Sequence, residues 1–183
     1  MHVFETPRLI GRHLSQHDLP ALAAMLSDPE VMRYSVRGVC NEQATRRFIE
    51  WCKACYASLG IGPWALVEKA TNDLVGFCGV GPEVIDGAEE ANLGYRLARR
   101  YWNQGLACEA SNAVVDDVFA RKQLASVVVV IEPEHVASLR VAEKTGFTTF
   151  ELREFHGRPV RMYRLSRENW MSLRHGARLH QDG

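Results

Sequence analysis

The chain has 183 residues, enough for one domain with a sizeable core, and Lys+Arg equals Asp+Glu at 22 each, so the formal net charge is zero. That balance excludes both a bulk basic field for nucleic acid and an acidic, disordered composition. No apolar run reaches signal-peptide or membrane-spanning length, so the expectation is a cytoplasmic protein with neither nucleic-acid nor membrane partners.

"TPRLIGRHL" (6–14) alternates weakly after its proline, which predicts a first strand. "QHDLPALAAMLSD" (16–28) has Asp18 as a candidate cap and Pro20 in its first turn. Leu19, Leu22, Ala23 and Leu26 share a stripe, so this is a short helix. Asn41 caps a longer helix in which Ala44, Phe48, Trp51, Cys52, Cys55, Tyr56 and Leu59 recur at helical spacing until Gly60 ends it. The period then changes. "WALVE" (64–68) and "LVGFCGV" (74–80) read as a hairpin, followed by a polar loop, "DGAEE" (86–90). "ANLGYRL" (91–97) is a third strand with Leu93, Tyr95 and Leu97 on one face and Asn92, Gly94 and Arg96 on the other.

From Gly105 to Arg121 the pattern is helical, with Leu106, Ala110, Ala113, Val114 and Val118 on one stripe. "SVVVVIE" (126–132) is a β-branched run of the kind buried on both faces. "EHVASLRVAEKTGF" (134–147) is a short helix stopped by Gly146, and "HGRP" (156–159) turns a last hairpin. This organisation predicts one domain over 1–172 and a flexible tail over 173–183. The fold class is α+β (mixed α/β), and the crossover from 91 to 131 requires a parallel pair, 91–97 beside 126–131.

The five cysteines are Cys40, Cys52, Cys55, Cys78 and Cys108, an odd count that argues against a disulfide framework. "WCKAC" (51–55) has redox spacing, yet it sits mid-helix, away from the helix start that would stabilise a thiolate. Cys52 and Cys55 are therefore read as packed thiols. No second cysteine pair completes a zinc site, and the histidines show no ligand spacing, so no metal is expected.

"ARRYWNQGLA" (98–107) then joins a strand to a helix at the carboxyl end of that strand, where open sheets hold ligands. The first helical amides lack internal partners and sit at the positive end of the dipole. Gly105 permits close approach of an anion, and Ala107 and Cys108 keep the helix start small. A phosphate or pyrophosphate fits there without an obligatory lysine. Taken by itself, the segment reads equally as an ordinary loop packed on the sheet, because the further glycines of a dinucleotide fingerprint are missing.

"YWNQGLACEA", "EPEHVASLRVAEKTGF" and "YRLSRENW", with "TPRLIGRHL" and "LVGFCGV" ahead of them, resemble in order and spacing the GNAT N-acetyltransferases, closest to the RimJ/RimL branch; the resemblance covers about 5–172. It implies the GNAT fold: a mixed, mostly antiparallel sheet of about 6–7 strands with about four flanking helices, in which the strands 91–97 and 126–131 splay apart. It implies acetyl-CoA as co-substrate and an amine acceptor, either a peptide N-terminus or a small-molecule amine, in a monomer or homodimer. The cofactor residues it implies are Trp102, Asn103, Gln104, Gly105, Leu106 and Ala107 at the pyrophosphate, backbone groups of Arg96 and Leu97 along the pantetheine, and His135 with Ser138 in the second motif. His135 stands where the family has Asn, Trp102 where its formula has Arg or Gln, and Ala142 where many members have a catalytic Tyr. Ser138, one turn before Ala142, is then the candidate donor to the departing thiolate; the family's carboxylate before "GY" is absent, which leaves Glu89, Glu90, Glu132, Glu134 and His135 as candidate bases, with Glu90 the replacement for it, or solvent in that role. Two other functions remain open for the same residues: a CoA-binding module without turnover, and a phosphate- or nucleotide-binding domain.

Overall fold

The computed structural model describes residues 2–179. Its strands are β1 (His2–Glu5), β2 (Leu9–Arg12), β3 (Pro63–Glu68), β4 (Leu74–Ile85), β5 (Ala88–Leu97), β6 (Ser126–Ile131), β7 (Phe150–Phe155) and β8 (Arg158–Ser166). Its helices are α1 (Leu19–Leu26), α2 (Glu42–Leu59), α3 (Leu106–Ala120), α4 (Val136–Thr145) and α5 (Arg167–Leu179). One sheet runs β1-β2-β3-β4-β5-β6-β8-β7, and every pairing is antiparallel except β5 with β6. That parallel pair is the expected one, and the class is the expected mixed α+β.

Four expectations are corrected. The sheet has eight strands, not 6–7, because the opening segment divides: Thr6 caps a turn back through Leu9, so 2–5 and 9–12 pair as a hairpin. "DGAEE" is not a loop through 90. Only Asp86 and Gly87 turn, both at positive φ, and β5 pairs with β4 from Ala88 onward. Asp18 does not cap α1 with its side chain. It accepts a fork from Arg12 and the Ser15 amide instead, so its carboxylate fastens β2 to the helix start. Among the described residues there are five helices rather than about four, because α5 runs to Leu179, through the first residues of the expected tail; residues 180–183 lie outside the described residues.

The core sits on both faces of the sheet. On one, Val114, Val118 and Phe119 of α3 pack against Leu66, Val80, Leu93, Val127 and Val129. On the other, Leu22 and Met25 of α1 and Ile49 and Cys52 of α2 cover Ala65 and Phe77. The period-2 alternation of the strands and the apolar stripes of the helices produce this layering directly. Cys52 and Cys55 are buried on α2, and burial raises both thiols above the ordinary cysteine range. A thiol held protonated is a packing group. Replacing both with Ala is expected to cost about 1–2 kcal/mol of stability in the denaturation midpoint and to leave kcat unchanged. A tenfold loss of kcat in the folded variant would assign them chemistry.

Candidate active site

The site begins where β5 and β6 part. Their parallel ladder contains a single registered pair, Asn92 with Val128, and the carboxyl ends diverge beyond it. β5 still holds to β4 through Leu97, helped by Gly76: a Cβ there would lie 2.0 Å from the Arg96 carbonyl, so no larger residue allows the approach. The divergence opens a cavity of about 660 Å³ bounded by β5, the loop 102–105 and the starts of α3 and α4. Helices α3 and α4 thus both present their N-terminal ends to one cleft.

Sequence chemistry shapes the loop. Asn103 (φ 60°) and Gly105 (φ 77°) are both left-handed, the region that Asn and Gly tolerate. Gly105 is the cap residue of α3, and its carbonyl accepts the Glu109 amide, leaving the amides before Glu109 without intrahelical partners. The outer side of the loop is fastened by Arg8, which donates to the Gln104 carbonyl (2.8 Å) and to Glu109 (2.7 Å). Glu109 also accepts from Thr6 (2.6 Å) and from the Arg8 amide (3.0 Å). Burial would raise this carboxyl, but the donors hold it below the ordinary carboxylate range. The β1–β2 turn therefore clamps the loop through an acid that faces away from the cleft.

Of the expected residues, Arg96, Leu97, Trp102, Asn103, Gly105, Leu106, Ala107, His135 and Ser138 all line the cavity. The carbonyls of β5 that face the gap are engaged within the chain: Trp102 Nε1 donates to Leu97 O (2.9 Å) and Arg96 to Tyr95 O (3.1 Å). Gln104 turns away, its side chain donating to the Arg100 carbonyl (2.9 Å). Glu90 is outside the cleft. Arg164 grips it with two bonds of 2.6 and 3.0 Å, and that fork holds its carboxyl below the ordinary range, the wrong direction for a base.

The polar heart of the cleft was only partly legible in the sequence. Tyr95 Oη donates to Ser138 Oγ (2.9 Å), which lies 3.1 Å from His135 Nε2. Tyr34 stacks on the His135 ring, centroids 4.1 Å apart, and so closes the cleft from the segment between α1 and α2. Burial pushes the Tyr95 phenol up to about 12. Burial first, and then the nearby Arg96 charge, push His135 down to about 4, so its ring is neutral at working pH. Arg140 and Lys144 of α4 stand at the outer wall as cations. Sequence reasoning missed Tyr95 as a site residue because its alternation with Leu93 and Leu97 marks it as core. The ring does pack there, while its hydroxyl reaches the cleft. Tyr34 carried no motif at all. Among the described residues no group of three or more His, Cys, Asp or Glu could hold a metal ion, and no helix is long and apolar enough to cross a membrane.

His135 makes stability depend on pH. The unfolded chain protonates histidine near its model value of 6.5, whereas the folded ring stays neutral to about 4. Between these the unfolded state binds more protons, so stability falls as pH drops through the window. His135→Asn removes this dependence. Its thermal midpoint is expected to fall less than that of wild type between pH 6.5 and 4, and parallel curves would show that the ring is not held neutral.

Comparison with known proteins agrees with this architecture. An acetyltransferase (GNAT) domain model matches residues 8–148. An uncharacterised protein of Bacillus subtilis (strain 168), YkkB, is 31% identical over 159 residues, 86% of this chain and 92% of the relative. An acetyltransferase from Agrobacterium tumefaciens str. C58 superposes with a TM-score of 0.76 at 25% identity, over 88% of this chain and 92% of that one. RimL, a ribosomal L7/L12 alpha-N-protein acetyltransferase in complex with coenzyme A, has the same fold (TM-score 0.75, 19% identity, 91% and 98% coverage).

Proposed function

The chain belongs to the GNAT acetyltransferase family, and from that premise we propose an acetyl-CoA-dependent, RimJ/RimL-like N-acetyltransferase acting on a primary amine, a protein N-terminus or a small-molecule amine. One observation carries this reading: the splayed β5–β6 gap combines two helix N-termini with a Tyr95–Ser138–His135 hydrogen-bond chain. A pyrophosphate suits the first part and acyl transfer the second.

The residues fit the co-substrate. The amides of Leu106, Ala107 and Cys108, turned to the cleft by the left-handed Gly105, would hold the pyrophosphate, with Trp102 and Asn103 beside them. Arg140 and Lys144 would meet further phosphate charge at the outer wall. Leu97 and the small Ala107 would line the slot for the pantetheine, whereas the Arg96 carbonyl turns to Gly76 of β4. Acetyl-CoA supplies an activated acetyl thioester there. The protein must exclude water, place the amine and supply protons. Tyr95 and Ser138 present hydroxyls in series at one point of the cleft, suited to donate to oxygen or sulfur as negative charge develops. His135 is neutral and lies against Ser138; with its ring proton on Nε2 it would donate to Ser138 Oγ, which then accepts from both Tyr95 and His135 and keeps its own proton for the ligand. As a base it is weak, since it protonates only near pH 4. With Glu90 held outside the cleft and His135 a weak base, solvent would take the proton of the acceptor amine.

Calorimetry with acetyl-CoA, CoA, ATP and NAD, followed by thiol release over an amine panel, tests the reading. Selective CoA binding with amine-dependent release is the expected result. Binding without release from any amine would make the chain a CoA-binding module, and a preference for ATP or NAD would overturn the reading.

A further inference from the structure

A second cavity, about 230 Å³, lies beside the first and meets it at Tyr34, Tyr95, Arg96, His135 and Ser138. Part of its wall is the polar face of β5, where Asn92, Gly94 and Arg96 alternate with the core-facing Leu93, Tyr95 and Leu97. A Cβ on Gly94 would meet nothing within 4 Å, so the floor between Asn92 and Arg96 is open. Two polar groups on that floor are incompletely satisfied. Asn92 Oδ1 is buried and accepts no hydrogen bond. Arg96 is largely withdrawn from water. It donates to the Tyr95 carbonyl, and burial lowers its pKa with no carboxylate opposing the shift.

A guanidinium does not escape that situation by losing its proton. A buried cation without a counter-ion is costly and is retained where an anion arrives to complete it. Among the described residues no carboxylate forms an ion pair with Arg96. Glu132 is taken by Arg158 at 2.7 Å, and Arg37 adds another cation, which leaves Glu83 as the carboxylate without an arginine. A polyamine or other polycation would set its ammonium groups against these arginines.

We infer that the acceptor is a small amine carrying a carboxylate or comparable anion, its anion forked on Arg96 beside the open floor at Gly94. This rests on the acetyltransferase reading above and narrows its substrate class. Arginine matches a carboxylate with two parallel bonds, which also fixes the orientation of the amine toward the cleft shared with Tyr95 and Ser138.

The test uses matched trios: an L-amino acid, its carboxamide, and the amine lacking the carboxyl group, with a peptide N-terminus and spermidine as outliers. Thiol release from acetyl-CoA gives kcat/KM for each, with wild type and Arg96→Met. In wild type the amino acid is expected to exceed its carboxamide and decarboxylated partner by about tenfold or more. In Arg96→Met that preference disappears through KM, while calorimetric affinity for acetyl-CoA is expected to stay within about threefold, the side chain serving the acceptor. Preference for the carboxamide, spermidine or the peptide overturns the inference and leaves the acetyltransferase reading standing. A large loss of acetyl-CoA affinity in Arg96→Met overturns it too, by giving the arginine to the co-substrate. If no amine turns over, the trios are scored by calorimetric binding to the CoA-saturated protein, and no tighter binding of the amino acid than of its carboxamide sinks the inference.

Discussion

Tyr95→Phe is expected to lower kcat by about 10²-fold while leaving acetyl-CoA affinity within about twofold of wild type. The substitution removes one oxygen and keeps the ring, which packs against the main core, so the fold should survive. The hydroxyl it removes is the outer member of a chain, 2.9 Å from Ser138, which in turn sits 3.1 Å from His135. The family resemblance sets Ala142 at the place where a catalytic tyrosine is expected. Ala142 is buried against the core, and the phenol reaches the same region from β5 instead. Burial places the Tyr95 pKa near 12, so the phenol stays protonated, and able to donate, throughout any ordinary assay range. An alkaline fall in kcat below pH 10 would then come from another group. Ser138→Ala is expected to cost roughly 10–10³-fold in both kcat and kcat/KM, since it breaks the same chain at its middle. If the two act as one unit, the double variant costs little more than the worse single one. Full kcat in Tyr95→Phe, with fold and acetyl-CoA binding intact, removes the phenol from the chemistry.

Those two residues also show what was legible in the sequence. Ser138 lies in a motif with fixed spacing from "KTGF", and helical periodicity then fixes which way it points. Tyr95 was visible only as a strand residue. Alternation assigns a face to the side chain, but it cannot say that the tip of a long aromatic passes beyond the core into a cleft. Gly105 was read as permitting close anion approach, and its left-handed φ agrees, because turn chemistry is local. The clamp of Thr6, Arg8 and Glu109 joins residues about a hundred positions apart, and nothing in either segment announces the other. Glu90 failed for the same reason. It lies within β5 rather than in a loop, and its partner Arg164 comes from the last hairpin, beyond the reach of local pattern. The extra strand and the helix past residue 172 were missed because short polar segments take their order from the elements they pack on rather than from propensity.

Gly105→Val should weaken acetyl-CoA binding by about 10–100-fold, equivalent to about 1.4–2.7 kcal/mol. Space is not the objection. A Cβ at this position would meet only the end of the flexible Arg8 side chain, at 3.5 Å. The objection is conformational, since φ is +77° and a β-branched residue in that region is strained by roughly 1–3 kcal/mol. Residue 105 is exposed, so the loop can relieve the strain by leaving the left-handed region without unfolding the chain. Doing so rotates the peptide that starts α3 and turns its free amides off the cleft, which removes the anion site while the cations of α4 remain. Asn tolerates positive φ, as Asn103 does two residues earlier, so Gly105→Asn should keep most of the affinity and separates backbone conformation from mere side-chain bulk. The distinction is sharpest with ligands that differ in charge: the loss in Gly105→Val should be large for CoA and small for pantetheine, which has no pyrophosphate. A folded Gly105→Val protein with wild-type CoA affinity by calorimetry would place the pyrophosphate elsewhere in the cleft, and an equal loss for pantetheine would mean that the loop shapes the slot rather than holding the phosphates.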